Sequence, residues 1–172
     1  MTNNAGIIKL RKFRAEDFQS VMDLFSPYHL EFSDHDHTYF IHLTEYVLKY
    51  GDEGDLTIVV AFVDHEIIGS VCVGIDQHSD TYSFIEWVVV KQGFQLQGVG
   101  QKLIAAAMQW ARTEGCQYIW LKTVDTTYNA GTKQFYCNLG FHIAGTLPSY
   151  YLGDTQNNTA DESCVLFFRK LE

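Results

Sequence analysis

Residues 84–114 read FIEWVVVKQGFQLQGVGQKLIAAAMQWARTE, and this stretch decides the fold. Its first part, Phe84 to Val90, is β-branched and aromatic with a single charge, which predicts a buried strand. From about Gly98 onward, apolar residues recur at intervals of three and four, which predicts a helix. A polar connection that contains Gly93 joins the two elements. The predicted buried face of the helix contains Val99, Leu103, Ile104, Ala107, Met108 and Ala111.

The junction between this strand and this helix has the chemistry of a phosphate site. The first turn of a helix leaves backbone N–H groups without partners, its dipole adds partial positive charge, and glycines let an anion approach the backbone. Alternatively, Gly98 and Gly100 only let the helix pack closely on a sheet. Two well-known phosphate loops are excluded. Val99 stands where a Walker loop needs Lys, and Leu103 stands where the dinucleotide fingerprint needs a small residue.

The hexapeptide QLQGVG at residues 95–100 resembles the Gln/Arg-x-x-Gly-x-Gly/Ala signature of the GNAT superfamily, the acyl-CoA-dependent N-acetyltransferases. A second block, NAGTKQFYCNLGF at residues 129–141, resembles the family pattern Asn-x-x-x-x-x-(Phe/Leu)-Tyr-x-x-x-Gly-Phe. One predicted helix and one predicted strand separate the blocks, in the family's order, and the resemblance covers nearly the whole chain. The chain departs from the usual pattern at Gln92, Gln95 and Thr132, where Pro, Arg and Ala are commoner in the family.

The predicted order of elements is strand, two helices, three strands, helix, strand, helix and two strands. This order predicts a mixed α/β fold with a central sheet and helices on both faces. We expect one N-acetyltransferase domain over residues 1–172. The resemblance further implies a GNAT-type, mostly antiparallel sheet whose fourth and fifth strands splay apart, with the pantetheine arm of the cofactor in the gap.

Composition narrows the class of partner. The 172 residues carry a formal net charge of −9, which argues against nucleic acid or an anionic membrane and fits a cationic substrate. The four cysteines, at positions 72, 116, 137 and 164, lie beside apolar segments without metal-type spacing, so buried reduced thiols are expected. The N-terminal segment MTNNAGIIKLRKF has no apolar run typical of a signal peptide or membrane span. A cytoplasmic location is therefore expected.

The resemblance implies acetyl-CoA as co-substrate and assigns residues to it. The pyrophosphate would lie over the backbone N–H groups of residues 95–100, and the pantetheine amides would pair with the edge of residues 88–90 as an added strand does. The N–H near Val88 would donate to the thioester oxygen. Asn129 matches the family Asn that contacts the cofactor arm, and it also suits the N-cap of the following helix. The implied cofactor-binding residues are Val88, Val89, Val90, Gln95, Leu96, Gln97, Gly98, Val99, Gly100, Gln101 and Asn129.

Glu86 is the predicted base of the reaction, the attack of a primary amine on the thioester. An ammonium must lose a proton before it can attack. Glu86 is the only charge in its strand, where partial burial would raise the pKa of its carboxyl, and alternation predicts that it shares a face with Val88 and Val90. Polyamine and aminoglycoside N-acetyltransferases of the superfamily resemble this segment, and their Glu holds or deprotonates the amine. The alternative is an ordinary Glu on the solvent face, paired with Lys or Arg.

Tyr136 is the predicted acid. It occupies the position of the family's general acid, seven residues after Asn129. A phenol donates a hydrogen bond to the developing thiolate and, with an ordinary pKa of about 10, can return a proton to it. The alternative is that Phe135 and Tyr136 are both core aromatics of the predicted helix.

The segment from Tyr28 to Asp36 is predicted to be a loop, followed by a helix from about Thr38. By resemblance to the family it lines the acceptor pocket, where its aromatic and acidic side chains suit a cationic, partly apolar amine. Its His and Asp residues show no metal-ligand spacing, so no metal is predicted. A late polar loop is predicted to supply the opposite wall. The predicted acceptor-binding residues are Tyr28, Glu31, Phe32, Asp34, Tyr150 and Tyr151.

Three functions follow from these expectations. The first is acetylation of a small-molecule amine of the polyamine, aminoglycoside or amino-acid kind. The second is acetylation of a protein or peptide, because Ser149-Tyr150-Tyr151 resembles the tyrosines that bind peptide termini in ribosomal-protein N-acetyltransferases. The third is an acyl-CoA sensor without turnover. A homodimer is also possible, since the late loop and final strand are aromatic, although only one of Phe167 and Phe168 can face the core.

Overall fold

The computed structural model describes residues 6–28, 34–125, 130–151 and 162–172, with the side chains of residues 28, 34–37, 130 and 151 left undescribed. The order of elements agrees with the prediction. The strands are β1 (Lys9–Lys12), β2 (Leu56–Val63), β3 (Glu66–Asp76), β4 (Ser79–Val90), β5 (Tyr118–Asp125), β6 (His142–Tyr151) and β7 (Glu162–Lys170). The helices are α1 (Phe18–Phe25), α2 (Asp34–Tyr50), α3 (Val99–Thr113) and α4 (Ala130–Asn138).

The seven strands form one sheet in the order β1-β2-β3-β4-β5-β7-β6. Every neighbouring pair is antiparallel except β4 and β5, which are parallel. An apolar core lies on each face of the sheet. The α3 core packs the buried face of α3 and Tyr136 of α4 against the sheet, and the α1/α2 core packs residues such as Val21 and Phe40 against the other face. The predicted α/β class, with helices on both faces, is confirmed.

The β4–β5 ladder is short, and this opens a gap in the middle of the sheet. Pairing runs only from Tyr82↔Tyr118 to Ile85↔Leu121. Beyond that point β4 continues to Val90 and β5 to Asp125, with no pair between them among the described residues. The predicted splay of the fourth and fifth strands is therefore present, and the facing edges of both strands are available to a ligand.

A β-bulge interrupts β4 at the start of the gap. Cys72 of β3 lies opposite Glu86 and Ser70 lies opposite Val89, so that two residues of β4 oppose one residue of β3. One of the two is Trp87, whose φ of +54° is uncommon for a residue with a side chain. The extra residue resets the alternation of faces along the strand.

The bulge makes the prediction for the face of Glu86 wrong. Val88 and Val90 pack against the α3 core, whereas Trp87 packs against the α1/α2 core. Glu86 contacts Tyr39 of α2 and therefore faces α1 and α2. Strict alternation would have placed Glu86 and Val88 on one face, but an inserted residue moves every later side chain to the opposite face.

Two further boundaries differ from the predictions. Helix α2 begins at Asp34 rather than near Thr38, so part of the predicted loop is its first turn. Acidic residues are favourable there because of the helix dipole. Strand β6 continues to Tyr151, where a loop was predicted from Tyr150. An irregularity in pairing with β7, between Leu147 and Tyr151, accommodates the proline within this stretch.

The remaining predictions concern cysteines, β7 and membrane spans. Cys72, Cys116 and Cys164 are buried and Cys137 is exposed, and all four are free thiols. Burial was therefore wrongly predicted for Cys137. On β7, Phe167 is buried and the adjacent Phe168 is exposed, as the alternation of the strand predicted. Within the described residues, no helix combines the length and apolarity needed to cross a membrane.

Candidate active site

The loop between β4 and α3 is shaped by residues in the left-handed region. Gly93, Leu96 and Gly98 have φ of +87°, +60° and +83°. Two side chains brace the loop against its own backbone: the Gln95 amide donates to the Val90 carbonyl at 3.3 Å, and the Gln97 amide donates to the Gly93 carbonyl at 2.6 Å. These glutamines therefore stabilise the shape of the loop, and they leave its backbone as the surface available to an anion.

Helix α3 begins at this loop with unpaired amides. Gly98 is its N-cap, and the Lys102 N–H donates to the Gly98 carbonyl at 3.0 Å. The N–H groups of residues 98–101 precede this first full helical turn, where they have no intrahelical acceptor. With the partial positive charge of the helix end, they form an anion site without a basic side chain. The donors and their position fit the pyrophosphate of acetyl-CoA.

Gly98 and Gly100, at the start of α3, have different structural roles. A Cβ added at Gly98 would meet nothing within 4 Å, so the residue is needed for its positive φ and for the open space above it. A Cβ added at Gly100 would lie 3.3 Å from Cζ of Phe135 in α4. The phosphate interpretation therefore suits Gly98, and the close-packing interpretation suits Gly100.

Tyr136 lies in α4 on the α3 face of the sheet. Its ring contacts those of Phe135, Phe141 and Phe167, with centroids 5.2, 5.8 and 5.5 Å away. Burial raises the pKa of Tyr136 above its usual value. The phenol is therefore protonated at neutral pH, which is the state that an acid needs. Both predicted roles, core aromatic and proton donor, are compatible with this position.

Glu86 is half-buried at the point where the β4–β5 ladder ends. The hydroxyl of Tyr39 in α2 donates to Oε2 of Glu86 at 3.3 Å. Burial raises the pKa of Glu86, while the positive charge of Lys122 and the Tyr39 hydrogen bond act in the opposite direction. Burial and the Glu86 charge together raise the pKa of Tyr39 to about 12. The pair thus consists of a carboxylate that accepts a hydrogen bond and a neutral phenol that positions it.

Lys122 is the first residue of β5 beyond its last pair with β4. Its neighbours Ile119 and Leu121 are in the α3 core, so regular alternation along β5 directs Lys122 to the face of Glu86. The Lys122 ammonium donates to the Tyr150 hydroxyl at 3.0 Å and lies 5.0 Å from the centroid of its ring. Burial acts to lower the pKa of Lys122, but Tyr150 and Glu86 outweigh it and the pKa is raised.

Aromatic rings form a wall beside Glu86. The Trp87 ring has its centroid 5.1 Å from Phe40, 5.7 Å from Phe25 and 6.2 Å from Tyr39. These residues come from β4, α1 and α2, and the bulge is what directs Trp87 toward the helices. Phe25 and Phe40 are buried in the α1/α2 core, so the rings of this cluster that can contact an amine at the gap are those of the half-buried Trp87 and the exposed Tyr39.

The structure brings only part of the predicted site together. Lys122 donates a hydrogen bond to Tyr150 and its charge interacts with that of Glu86, so Glu86 and Tyr150 lie on the α1/α2 face of the sheet. The side chains of Val88 and Val90 lie on the other face. Three predicted residues, Glu31, Phe32 and Asn129, lie outside the described residues, and so do the side chains of Tyr28, Asp34 and Tyr151.

Three residues at the site were missed: Tyr39, Trp87 and Lys122. The signal for Lys122 was present, because it is the one charge between Tyr118 and Val124, which is the same argument that identified Glu86. Tyr39 shows no comparable signal, since a tyrosine near a helix start is an ordinary surface residue. Trp87 was assigned to the strand core, and nothing in its neighbours indicates a bulge.

Comparison with known proteins agrees with this geometry. The model of the Acetyltransferase (GNAT) family matches residues 18–141. A protein from Desulfovibrio desulfuricans that is assigned to the GNAT family superposes with a TM-score of 0.82 at 19% identity, over 96% of this chain and 100% of its own. The ribosomal-protein-S18-alanine N-acetyltransferase from Escherichia coli superposes with a TM-score of 0.69 at 16% identity, over 96% of this chain and 95% of its own. These two likenesses concern the fold.

A third structure carries the cofactor. It comes from Bacillus anthracis, is described as a streptothricin acetyltransferase and was solved in complex with acetyl coenzyme A. It superposes with a TM-score of 0.60 at 26% identity, over 72% of this chain and 67% of its own.

Proposed function

Because the chain belongs to the GNAT family and is an acetyl-CoA-dependent acetyltransferase, we propose that its acceptor is a primary amine of a small molecule. The acceptor would be cationic, of the polyamine, aminoglycoside or amino-acid kind. Glu86 would take the proton of the amine and Tyr136 would protonate the leaving thiolate. One observation carries the proposal: a half-buried carboxylate, Glu86, stands beside an aromatic wall where the β4–β5 ladder ends.

The first part of the mechanism concerns the amine. An acceptor ammonium that enters between α2 and the sheet would be held by the Glu86 carboxylate and by the Trp87 ring. Because burial raises the pKa of Glu86, the difference in proton affinity between carboxylate and amine is smaller than in water. Loss of the proton to Glu86 leaves a neutral amine nitrogen, which can attack the thioester carbon.

The second part concerns the thioester in the gap between β4 and β5. We place the pyrophosphate over the N–H groups of residues 95–100, with Gln101 adjacent, and the pantetheine arm along the free edge of residues 88–90, with the N–H near Val88 as donor to the carbonyl oxygen. As the C–N bond forms and the C–S bond breaks, the thiolate takes the proton of the Tyr136 phenol, and the proton that the nitrogen loses on becoming an amide restores the phenol. Glu86 and Tyr136 lie on opposite faces of the sheet, so the gap is the passage that allows both to reach one reaction centre.

The test is a thiol-release assay with acetyl-CoA and a panel of polyamines, aminoglycosides, amino acids and short peptides. Glu86→Gln is assayed beside Glu45→Gln, which removes an exposed carboxylate from α2. For the best acceptor, we expect Glu86→Gln to lose about 100-fold or more in kcat at neutral pH, the usual worth of a general base. Its Kd for acetyl-CoA should match that of the wild type, and Glu45→Gln should keep full activity.

Three results would contradict the proposal. If short peptides are the best acceptors and small amines are inert, the acceptor is a protein or peptide. If Glu86→Gln keeps the wild-type kcat on a small amine, the base lies elsewhere. Tight binding of acetyl-CoA without release of thiol on any acceptor would instead indicate an acyl-CoA sensor.

A further inference from the structure

The acceptor side of the gap contains a cation as well as a carboxylate. Lys122 and Glu86 occupy neighbouring strands, each one residue beyond the last β4–β5 pair, and both face α1 and α2. Lys122 is half-buried, so its ammonium is not simply a charge on the solvent surface. The proposed base alone gives no reason for a second charge at this position.

Lys122 and Glu86 attract each other without touching. Their charges interact, yet among the ion pairs between described residues, for which nitrogen and oxygen approach within 4.0 Å, none joins these two side chains. The opposite charges therefore face the same space across a distance longer than direct contact. A ligand that carries both charges, in the opposite order, would complement this pair.

The Lys122 ammonium is held in place by Tyr150. An ammonium has three donors, and one of them goes to the Tyr150 hydroxyl at 3.0 Å while the ring lies beneath the charge. The hydroxyl positions the ammonium by a hydrogen bond. The ammonium can therefore still attract an anionic group of the acceptor, and it would repel a second cation.

We propose that the acceptor is an amine that also bears a carboxylate, as a free amino acid does, and that Lys122 binds this carboxylate while Glu86 binds the amine. The inference rests on the proposed function and narrows it. A polyamine or an aminoglycoside would present a further cation to Lys122. An amino acid presents matched charges, and its side chain would lie against the rings of Tyr39 and Trp87.

Matched pairs of amines test the proposal. Lysine is compared with cadaverine, and phenylalanine with phenethylamine, so that each pair differs only by the carboxylate. In the pair that is acetylated faster, the wild type should favour the amino acid over the decarboxylated amine by tenfold or more in kcat/KM. This is roughly the contribution of one charge-assisted hydrogen bond. Lys122→Met should remove the preference, mainly by raising KM for the amino acid. Lys122→Arg keeps the charge and should retain most of the preference.

Lys170→Met is the matched control, because Lys170 is an exposed lysine at the far end of β7 from the gap. It should leave both the rate and the preference unchanged. Melting temperatures of all variants are measured first, so that a loss of folding is not mistaken for a loss of recognition.

The outcomes separate this inference from the proposed function. If the decarboxylated amines are acetylated as well as the amino acids, and Glu86→Gln abolishes that activity, the carboxylate site is wrong while the amine acetylation stands. If Lys122→Met keeps the preference, Lys122 is not the anion-binding residue. If no small amine is acetylated, or Glu86→Gln is fully active, the proposed function fails and this inference fails with it.

Discussion

Gly98 is the position at which one added methyl group should report most directly on the loop between β4 and α3, the proposed pyrophosphate site. With φ of +83° and no atom within 4 Å of an added Cβ, the substitution Gly98→Ala meets no steric obstacle. Its cost is the left-handed conformation alone, about 1–2 kcal/mol. For a domain of this size each kcal/mol lowers Tm by about 2–4 °C, so a decrease of about 2–8 °C is expected.

Gly100→Ala is the paired variant, two residues further along. Gly100 lies in the first turn of the helix, where Ala is favoured over Gly by up to about 1 kcal/mol, the value for a helix interior. Against this gain, its Cβ would lie 3.3 Å from the Phe135 ring, which must move by a few tenths of an ångström. The two effects oppose each other, so the Tm of this variant should stay within about 2 °C of the wild type.

Calorimetry and initial rates with varied acetyl-CoA measure both effects. Relief of the backbone strain at position 98 would reorient the N–H groups at the start of α3 relative to the phosphates. The KM for acetyl-CoA should therefore rise about 3–10-fold in Gly98→Ala. Its kcat should be unchanged, because the phosphates are bound alike in the ground and transition states. A Gly100→Ala variant that is the less stable of the two, or a Gly98→Ala variant with wild-type Tm and KM, would refute the reasoning.

Two other predictions concern the proposed acid, Tyr136, and a buried ion pair. Tyr136→Phe preserves the packing of the ring, so kcat should fall about 100-fold while Tm and the Kd for acetyl-CoA stay constant, and an unchanged kcat in the thiol-release assay would exclude the phenol as acid. Asp17, 3% exposed, accepts hydrogen bonds from Arg11 at 2.5 and 2.7 Å and from the Arg14 N–H at 2.8 Å. Burial alone would raise the pKa of Asp17, but these donors outweigh it and lower the pKa, so the stabilisation is present above the unfolded-state pKa and is lost as pH falls through the folded-state value. Asp17→Asn should therefore cost about 2 kcal/mol at pH 7, or about 4–8 °C in Tm, and the difference from wild type should shrink in acid; a difference that is independent of pH would contradict this account.

The parts of the fold that could be predicted are those with strong local patterns. The three- and four-residue spacing from Val99 to Ala111 predicted α3, and each of these apolar residues is buried. The positive φ of Gly98 was not predicted, because an N-cap residue usually has an extended backbone and the sequence indicated only that glycine leaves room for an anion. The splay of β4 and β5 came from the family resemblance, because no property of either strand alone specifies where their pairing ends.

The parts that could not be predicted depend on contacts between distant segments. The prediction of the face on which Glu86 lies was wrong because the bulge arises from the pairing of β4 with β3. The sequence around Trp87 gives no local sign of this bulge. The role of Tyr39 depends on how α2 crosses the sheet, which periodicity does not specify. Lys122 differs from these, because a lone charge in an apolar strand is a local pattern that was available and was not used.

The bulge at Trp87 changes which residues of β4 face α1 and α2. The strand should therefore tolerate substitutions better than it tolerates an insertion or a deletion. Before the bulge, even-numbered residues such as Phe84 and Glu86 face α1 and α2, and after it the odd-numbered Val89 does. Deleting one residue between Glu86 and Val89 would restore strict alternation, so that either the carboxylate or the strand edge beside the gap would exchange faces. Substitutions within this segment alter the chemistry of the pocket, whereas an insertion or deletion would separate the acceptor side from the cofactor side.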